Sequence, residues 1–303
     1  MTSLPWRVAG ARLHLPRDLE ITYVVGRMGV VTIADSYPLW YGSPHTARFG
    51  FGRLSRLGLL RAFPRPDVIS PAWFTLTSRG LEWTAEQAGC DERELRAVGG
   101  IRRMNLQAVG IRNRLWTSLV LACRANPSVR LTRVQPEWEL RLERTDGLDV
   151  VPDAIVSLGR QTVTEGPGCA WMIEMDAGTQ RKTVLRAKAS RYAAFRDAAH
   201  LYGYADWRLL ALAPSERRAR TVAAALTSGG AGAFAFVAVA MELEGGRAFE
   251  RRLWPCSELA RSPQAKPSVS IIDSLTTPTD EADQRSRSAV DRGFPSETGA
   301  IAP

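Results

Sequence analysis

Hydrophobic and polar positions along this chain follow two different periods, and the change of period divides it. Behind Pro16-Arg17-Asp18, the residues Leu19, Tyr23, Val24 and Met28 recur at helical spacing and predict a first helix. A short second helix holding Ile33, Ala34, Tyr37 and Leu39 is expected to begin at Thr32 or Asp35. Ser43-Pro44 supplies an N-cap followed by proline at the first helical position, so a third helix should run from about His45 to Arg56. Arg53-Leu54-Ser55-Arg56-Leu57-Gly58-Leu59-Leu60-Arg61 closes that helix at Gly58 and turns directly into a strand. A polar, proline-rich stretch from Pro64 to Pro71 follows, and then Trp73 to Gly80 leads from a strand into a helix. Together these elements outline a winged helix-turn-helix over residues 14–97, with its wing in the proline-rich stretch.

The next residues are helical and then strand-like. Met104, Ala108, Ile111, Leu115, Leu119 and Ala122 repeat at helical spacing within Leu95 to Ala125, with a linker expected at Val98-Gly99-Gly100. Arg102, Arg103, Arg112 and Arg114 on this helix suggest a solvated face, or alternatively a flank turned to DNA. From Val129 to Val134 the pattern alternates, whereas Trp138 to Leu142 is ambiguous. Strands are expected at Val150–Val156, Cys169–Asp176, Trp207–Ala213 and Ala233–Met241, with helices over Thr183–Gly203 and Ser215–Thr227. This order of helix, strands, helix, strand, helix and strand predicts a mixed α/β, restriction-endonuclease-like domain over residues 101–259. Beyond Leu259, aromatics nearly vanish and Ser, Thr, Pro, Asp and Arg dominate, which predicts a disordered C-terminal tail at 260–303.

Charge adds a partner to this outline. The 303 residues carry a formal net charge of +9, which suits a polyanion such as nucleic acid or an acidic membrane surface. Only Lys182, Lys188 and Lys266 are lysines, which leaves 37 of the 40 basic residues as arginine. Between Ser36 and Pro66 there are five arginines and no acidic residue, as a phosphate-facing surface requires. Ser43, His45, Thr46, Arg48, Arg53 and Arg56 are therefore the candidate DNA-binding residues; the competing reading is a winged helix that contacts protein. Double-stranded DNA is the expected partner. No membrane association is expected, because the longest apolar run, Ala233–Met241, is too short to span a bilayer. Arginines at 7, 12 and 17 interrupt any leader-like stretch, and the four cysteines match no zinc spacing. A cytoplasmic protein with reduced, mostly packed thiols is the expectation. His14, His45 and His200 lack the spacing of metal ligands.

The candidate chemistry lies in the second domain. Strand alternation places Glu174 and Asp176 on one face, where Asp153 of Pro152-Asp153 can join them if the neighbouring strand pairs in register. Lys188 on the following helix, or less readily Lys182, would add a positive charge. Three converging carboxylates could bind Mg²⁺ or Mn²⁺ for phosphodiester cleavage, which makes Asp153, Glu174, Asp176 and Lys188 the candidate catalytic residues. The first three are also the candidate metal ligands. Without such activity no cofactor is expected. Buried carboxylates require a compensating partner, and that partner could be an arginine instead of a metal.

On Pro152, Asp153, Glu174, Asp176, Gly178, Thr179, Lys188 and Tyr192, the chain resembles the replication-relaxation proteins of bacterial plasmids and mobile elements. The resemblance covers roughly residues 16–245. It implies a winged helix joined to a PD-(D/E)XK nuclease-like domain, and a DNA-binding accessory protein of plasmid or mobile-element replication or transfer. Nicking activity is an extension of that reading. Plasmid replication or transfer proteins would be its protein partners. Two positions depart from the pattern: Asp176 stands where the nuclease signature carries its lysine, and Ala177 where relatives tend to carry a basic residue. The alternative is a transcriptional regulator whose nuclease-like domain is inactive and serves a homodimer.

Overall fold

A computed structural model of the chain describes residues 16–63, 71–96, 106–142, 150–160, 169–196, 207–246, 248–262 and 264–271. The fold is mixed α/β, with a three-stranded sheet near the N-terminus and a seven-stranded sheet after it.

The N-terminal unit begins with α1 (Arg17–Met28), β1 (Val31–Thr32) and α2 (Ile33–Ser36). Thr32 settles where α2 starts, because its side chain accepts the backbone N–H of Asp35 at 3.0 Å. A 3₁₀ turn at Tyr37–Leu39 leads to α3 (Pro44–Arg56), whose N-cap Ser43 accepts from the Thr46 N–H at 3.2 Å. Ala47, Phe51 and Leu54 form the buried face of α3, against Ile21 and Val25 of α1, Leu59 of the turn that follows α3, and Phe74 and Leu76. Strands β2 (Leu60–Ala62) and β3 (Trp73–Leu76) pair antiparallel, and β1 joins the far side of β3. This is the expected winged helix, closed by α4 (Ser78–Ala88).

Two glycines show why the junction has its sequence. Gly58 leaves α3 at φ +72°, a conformation glycine adopts without strain. A Cβ on Gly80 would stand 1.9 Å from the Leu59 carbonyl oxygen, so only glycine lets α4 pass over β2. Thr77 fastens both sides: its hydroxyl accepts from Gly80 N–H at 2.9 Å and donates to the Gly58 carbonyl at 2.5 Å.

The second unit opens on α5 (Leu106–Ala125) and runs β4 (Val129–Pro136), α6 (Glu137–Leu142), β5 (Ala154–Arg160) and β6 (Cys169–Met175). It continues through α7 (Lys182–Arg196), β7 (Trp207–Ala213), α8 (Glu216–Ser228) and β8 (Ala235–Val239). It ends with β9 (Arg252–Pro255), α9 (Cys256–Arg261) and β10 (Val269–Ser270). The sheet order is β10-β9-β8-β7-β6-β5-β4, with β6, β7 and β8 parallel and the outer pairs antiparallel. Every residue of β6 is buried, because helices cover both faces of this central strand. Ala170 and Met172 face α7 and α8, while Trp171, Ile173 and Met175 face α5.

Several expectations change. The ambiguous Trp138–Leu142 stretch lies in helix α6, and the strand expected from Val150 begins at Ala154. Arg112 and Arg114 form neither a solvated face nor a DNA flank, since α5 is the seam between the two units. Arg112 donates to the Met28 carbonyl at 2.7 Å, and Arg114 bridges Asp35 and Glu244 at 3.1 and 2.7 Å. Asn113, Thr117 and Arg124 likewise take up the Val30, Asp35 and Leu39 carbonyls. Carbonyls at the ends of the winged-helix elements need donors, and α5 supplies them.

The tail boundary at 260 is also corrected. Helix α9 runs across it, β10 pairs with β9, and Ile271 is 2% exposed. Backbone pairing holds this segment, so its polar composition hid it. The wing stretch at 64–70, the linker at Val98-Gly99-Gly100, Arg102, Arg103, His14, His200 and residues 272–303 lie outside the described residues.

Candidate functional site

The register of the sheet sets the acidic centre. Ala154 pairs with Ile173, so Asp153 stands opposite Glu174 at the end of the ladder. The Asp153 N–H donates to the Ile173 carbonyl at 3.0 Å, and its Oδ2 accepts from the Met175 N–H at 2.6 Å. Glu174 and Asp176 share the β6 face that packs against α7 and α8, as alternation required. Both are buried, at 7% and 2% exposure.

Each carboxylate is already engaged. Glu174 accepts from the Tyr192 hydroxyl at 2.6 Å through Oε1, and forms a close ion pair with Lys188 through Oε2. Burial, and then the Asp153 charge, push the Glu174 carboxyl up to about 7 against the pull of Lys188 and Tyr192. Burial also raises Asp153 above the ordinary carboxylate range, opposed by Lys188 and the Met175 N–H. Burial opposes the Lys188 charge, but Glu174 and Asp153 outweigh it and hold its pKa above the usual lysine value. Lys188 thus contacts Glu174 directly and acts on Asp153 through its charge. Lys182 stands exposed at the start of α7.

Asp176 is directed elsewhere. Arg218 on α8 grips it with Nε and Nη2, the latter 3.0 Å from Oδ1, and also donates to the Gln180 carbonyl. The Gly178 N–H adds a 3.2 Å bond to Oδ1, which ties the β6–α7 loop to the carboxylate. The partner anticipated for a buried carboxylate is therefore an arginine. Nothing in the spacing pointed to Arg218, because it lies 42 residues from Asp176. Glu137 was also unforeseen: its N–H donates to the Asp153 carbonyl at 3.0 Å, and its charge reaches Asp153 and Lys188.

As placed, these carboxylates are held by cations and hydrogen-bond donors and are not arranged as an open ligand set. Both Glu174 oxygens are taken by Lys188 and Tyr192, both Asp176 oxygens by Arg218, and Asp153 Oδ2 by the Met175 N–H. Among the described residues no three His, Cys, Asp or Glu side chains are grouped to hold an ion. The cavity lined by Glu174, Asp176, Lys188 and Tyr192 is about 10 Å³, room for one water at most.

The candidate DNA-binding residues divide differently. His45, Thr46, Arg48 and Arg56 are exposed on α3, and Ser43 is half-buried as its cap. Arg48 and Arg56 form no ion pair among the described residues. Arg53 turns the other way, into an ion pair with Asp18, which is fully buried on α1. It fastens α3 to α1 and is withdrawn from the exposed face. That face also carries Phe49, which is 65% exposed and which the charge pattern did not single out.

Residues 35–205, more than half of the chain, match a family model described as replication-relaxation. No curated protein and no solved structure matches the chain.

Proposed function

The chain belongs to the replication-relaxation family, and from that premise we propose that it is a DNA-binding accessory protein of plasmid or mobile-element replication. The α3 face, where Arg48 and Arg56 are exposed and have no carboxylate partner among the described residues, is the observation that supports this reading. A helix carrying exposed arginines beside a wing suits the major groove, where arginines hold phosphates and side chains near the helix start reach base edges. The nuclease-like body acts as a platform. Its acidic residues are structural, with Asp176 neutralised by Arg218 and Glu174 by Lys188.

Metal-dependent nicking at Asp153, Glu174 and Lys188 is the second reading, favoured by the ion pair of Lys188 with the buried Glu174, which stands opposite Asp153 in the sheet. It would require Glu174 to give up Lys188. The experiment that separates the two incubates the full chain with supercoiled plasmid and Mg²⁺, Mn²⁺ or EDTA. The platform reading expects a gel shift and intact supercoils under all three conditions. Metal-dependent conversion to open circles, abolished by Asp153→Ala and by Glu174→Ala, would establish the nuclease instead.

A further inference from the structure

The exposed stripe of α3 has two features that charge does not explain. Phe49 presents 65% of its surface to solvent, its ring meeting His45 edge-to-face with centroids 4.9 Å apart. Gly52, three residues on and on the same stripe, has no packing reason to be glycine among the described residues. Among the described residues, a Cβ there would meet only the flexible tip of Arg56, at 3.8 Å. Gly50 is the internal contrast, since a Cβ there would lie 1.9 Å from the Tyr41 hydroxyl. A glycine in the middle of a helix destabilises it relative to alanine, so Gly52 weakens α3 without any return inside the protein.

At helical spacing His45, Phe49, Gly52 and Arg56 share one line along α3, with Arg48 beside it. The line is apolar in its middle and cationic at its edge. A bare aromatic between cations fits a surface that is itself apolar between anions. The major groove of thymine-containing DNA is such a surface, with its C5-methyl groups lying between two phosphate chains. Resting on the DNA-binding reading above, we propose that Phe49 is a base-reading residue that contacts thymine methyl groups. Gly52 lets the α3 backbone settle deep enough in the groove for the ring to reach them. Arg48 and Arg56 then hold the flanking phosphates.

The test needs no knowledge of the target site. Binding of the full chain is compared on alternating poly(dA-dT) and poly(dA-dU) duplexes, which differ only in the C5-methyl. One buried methyl corresponds to about fourfold in affinity, so wild type should bind the thymine polymer at least about fourfold more tightly. Phe49→Ala should erase that ratio. Gly52→Ala should raise the Tm by a few degrees while weakening binding to the thymine polymer, a pairing that a purely structural role would not give. Equal affinity of wild type for both polymers, or a preference that survives in Phe49→Ala, overturns the inference and leaves DNA binding intact. Failure to bind either polymer overturns the DNA-binding reading together with it.

Discussion

Replacing Arg218 by alanine tests whether the second domain's acidic residues are structural. Asp176 has 3% of its side chain exposed and relies on Arg218 for a two-point ion pair, supported among the described residues by the Gly178 N–H. Removing one partner of a buried pair costs about 3–5 kcal/mol, because a carboxylate stays buried without its counter-charge. Arg218 lies nearer the surface, at 19% exposure, so water can enter the gap and the lower end, about 3 kcal/mol, applies here. For a domain of this size that corresponds to a Tm roughly 6–12 °C lower. An amide needs no counter-charge, so Asp176→Asn should recover most of the loss when combined with Arg218→Ala. Urea and thermal melts of the four proteins complete the cycle, with an expected coupling of about 2 kcal/mol. The reasoning is refuted if Arg218→Ala melts within about 2 °C of wild type, or if the two substitutions simply add.

Two further expectations concern stability. Because the Glu174 carboxyl is raised to about 7 from 4.5, the folded state holds its proton more tightly than the unfolded chain. That contribution is complete below about pH 4.5 and is lost as pH rises through about 7, a change on the order of 3 kcal/mol. Urea melts across this range should show the slope in wild type and a flatter profile in Glu174→Gln; equal profiles would contradict the assignment. Arg53→Ala should lower stability by about 1–3 kcal/mol, because it removes the α3 counter-charge of the buried Asp18 and leaves Arg17 to oppose that charge. A melt indistinguishable from wild type would return Arg53 to the exposed, DNA-facing set.

The sequence made the winged helix legible because each of its punctuation marks has a local cause. Ser43-Pro44 starts α3, Gly58 ends it, and the Thr77–Gly80 pair both caps α4 and makes room for it. Period-two alternation likewise put Glu174 and Asp176 on one face, and the β5–β6 register brought Asp153 opposite Glu174. What could not be read was partner choice. Arg53 and Arg56 lie three residues apart on one helix, yet the first turns to Asp18 on α1 and the second faces outward. Arg218 reaches Asp176 only because α8 packs across the end of β6. Arg112 and Arg114 read as a solvated face because their partners, the Met28 carbonyl and the Asp35 and Glu244 carboxylates, lie 84, 79 and 130 residues away along the chain. Such pairings depend on long-range packing, which single-residue patterns do not encode. The segment around β10 escaped for another reason: a two-residue edge strand has no period to detect.

The most direct test of the central claim is the salt dependence of duplex DNA binding, measured by fluorescence anisotropy for wild type and the Arg48→Ala/Arg56→Ala double variant. Each phosphate contact contributes about 0.9 to the slope of log K against log salt concentration. The account predicts that wild type binds with a steep slope. The double variant should keep the wild-type Tm, bind more weakly, and have a slope shallower by about 1.8. Identical slopes and affinities for the two proteins, or no binding by wild type at low salt, would contradict the assignment of α3 as the DNA-contacting helix.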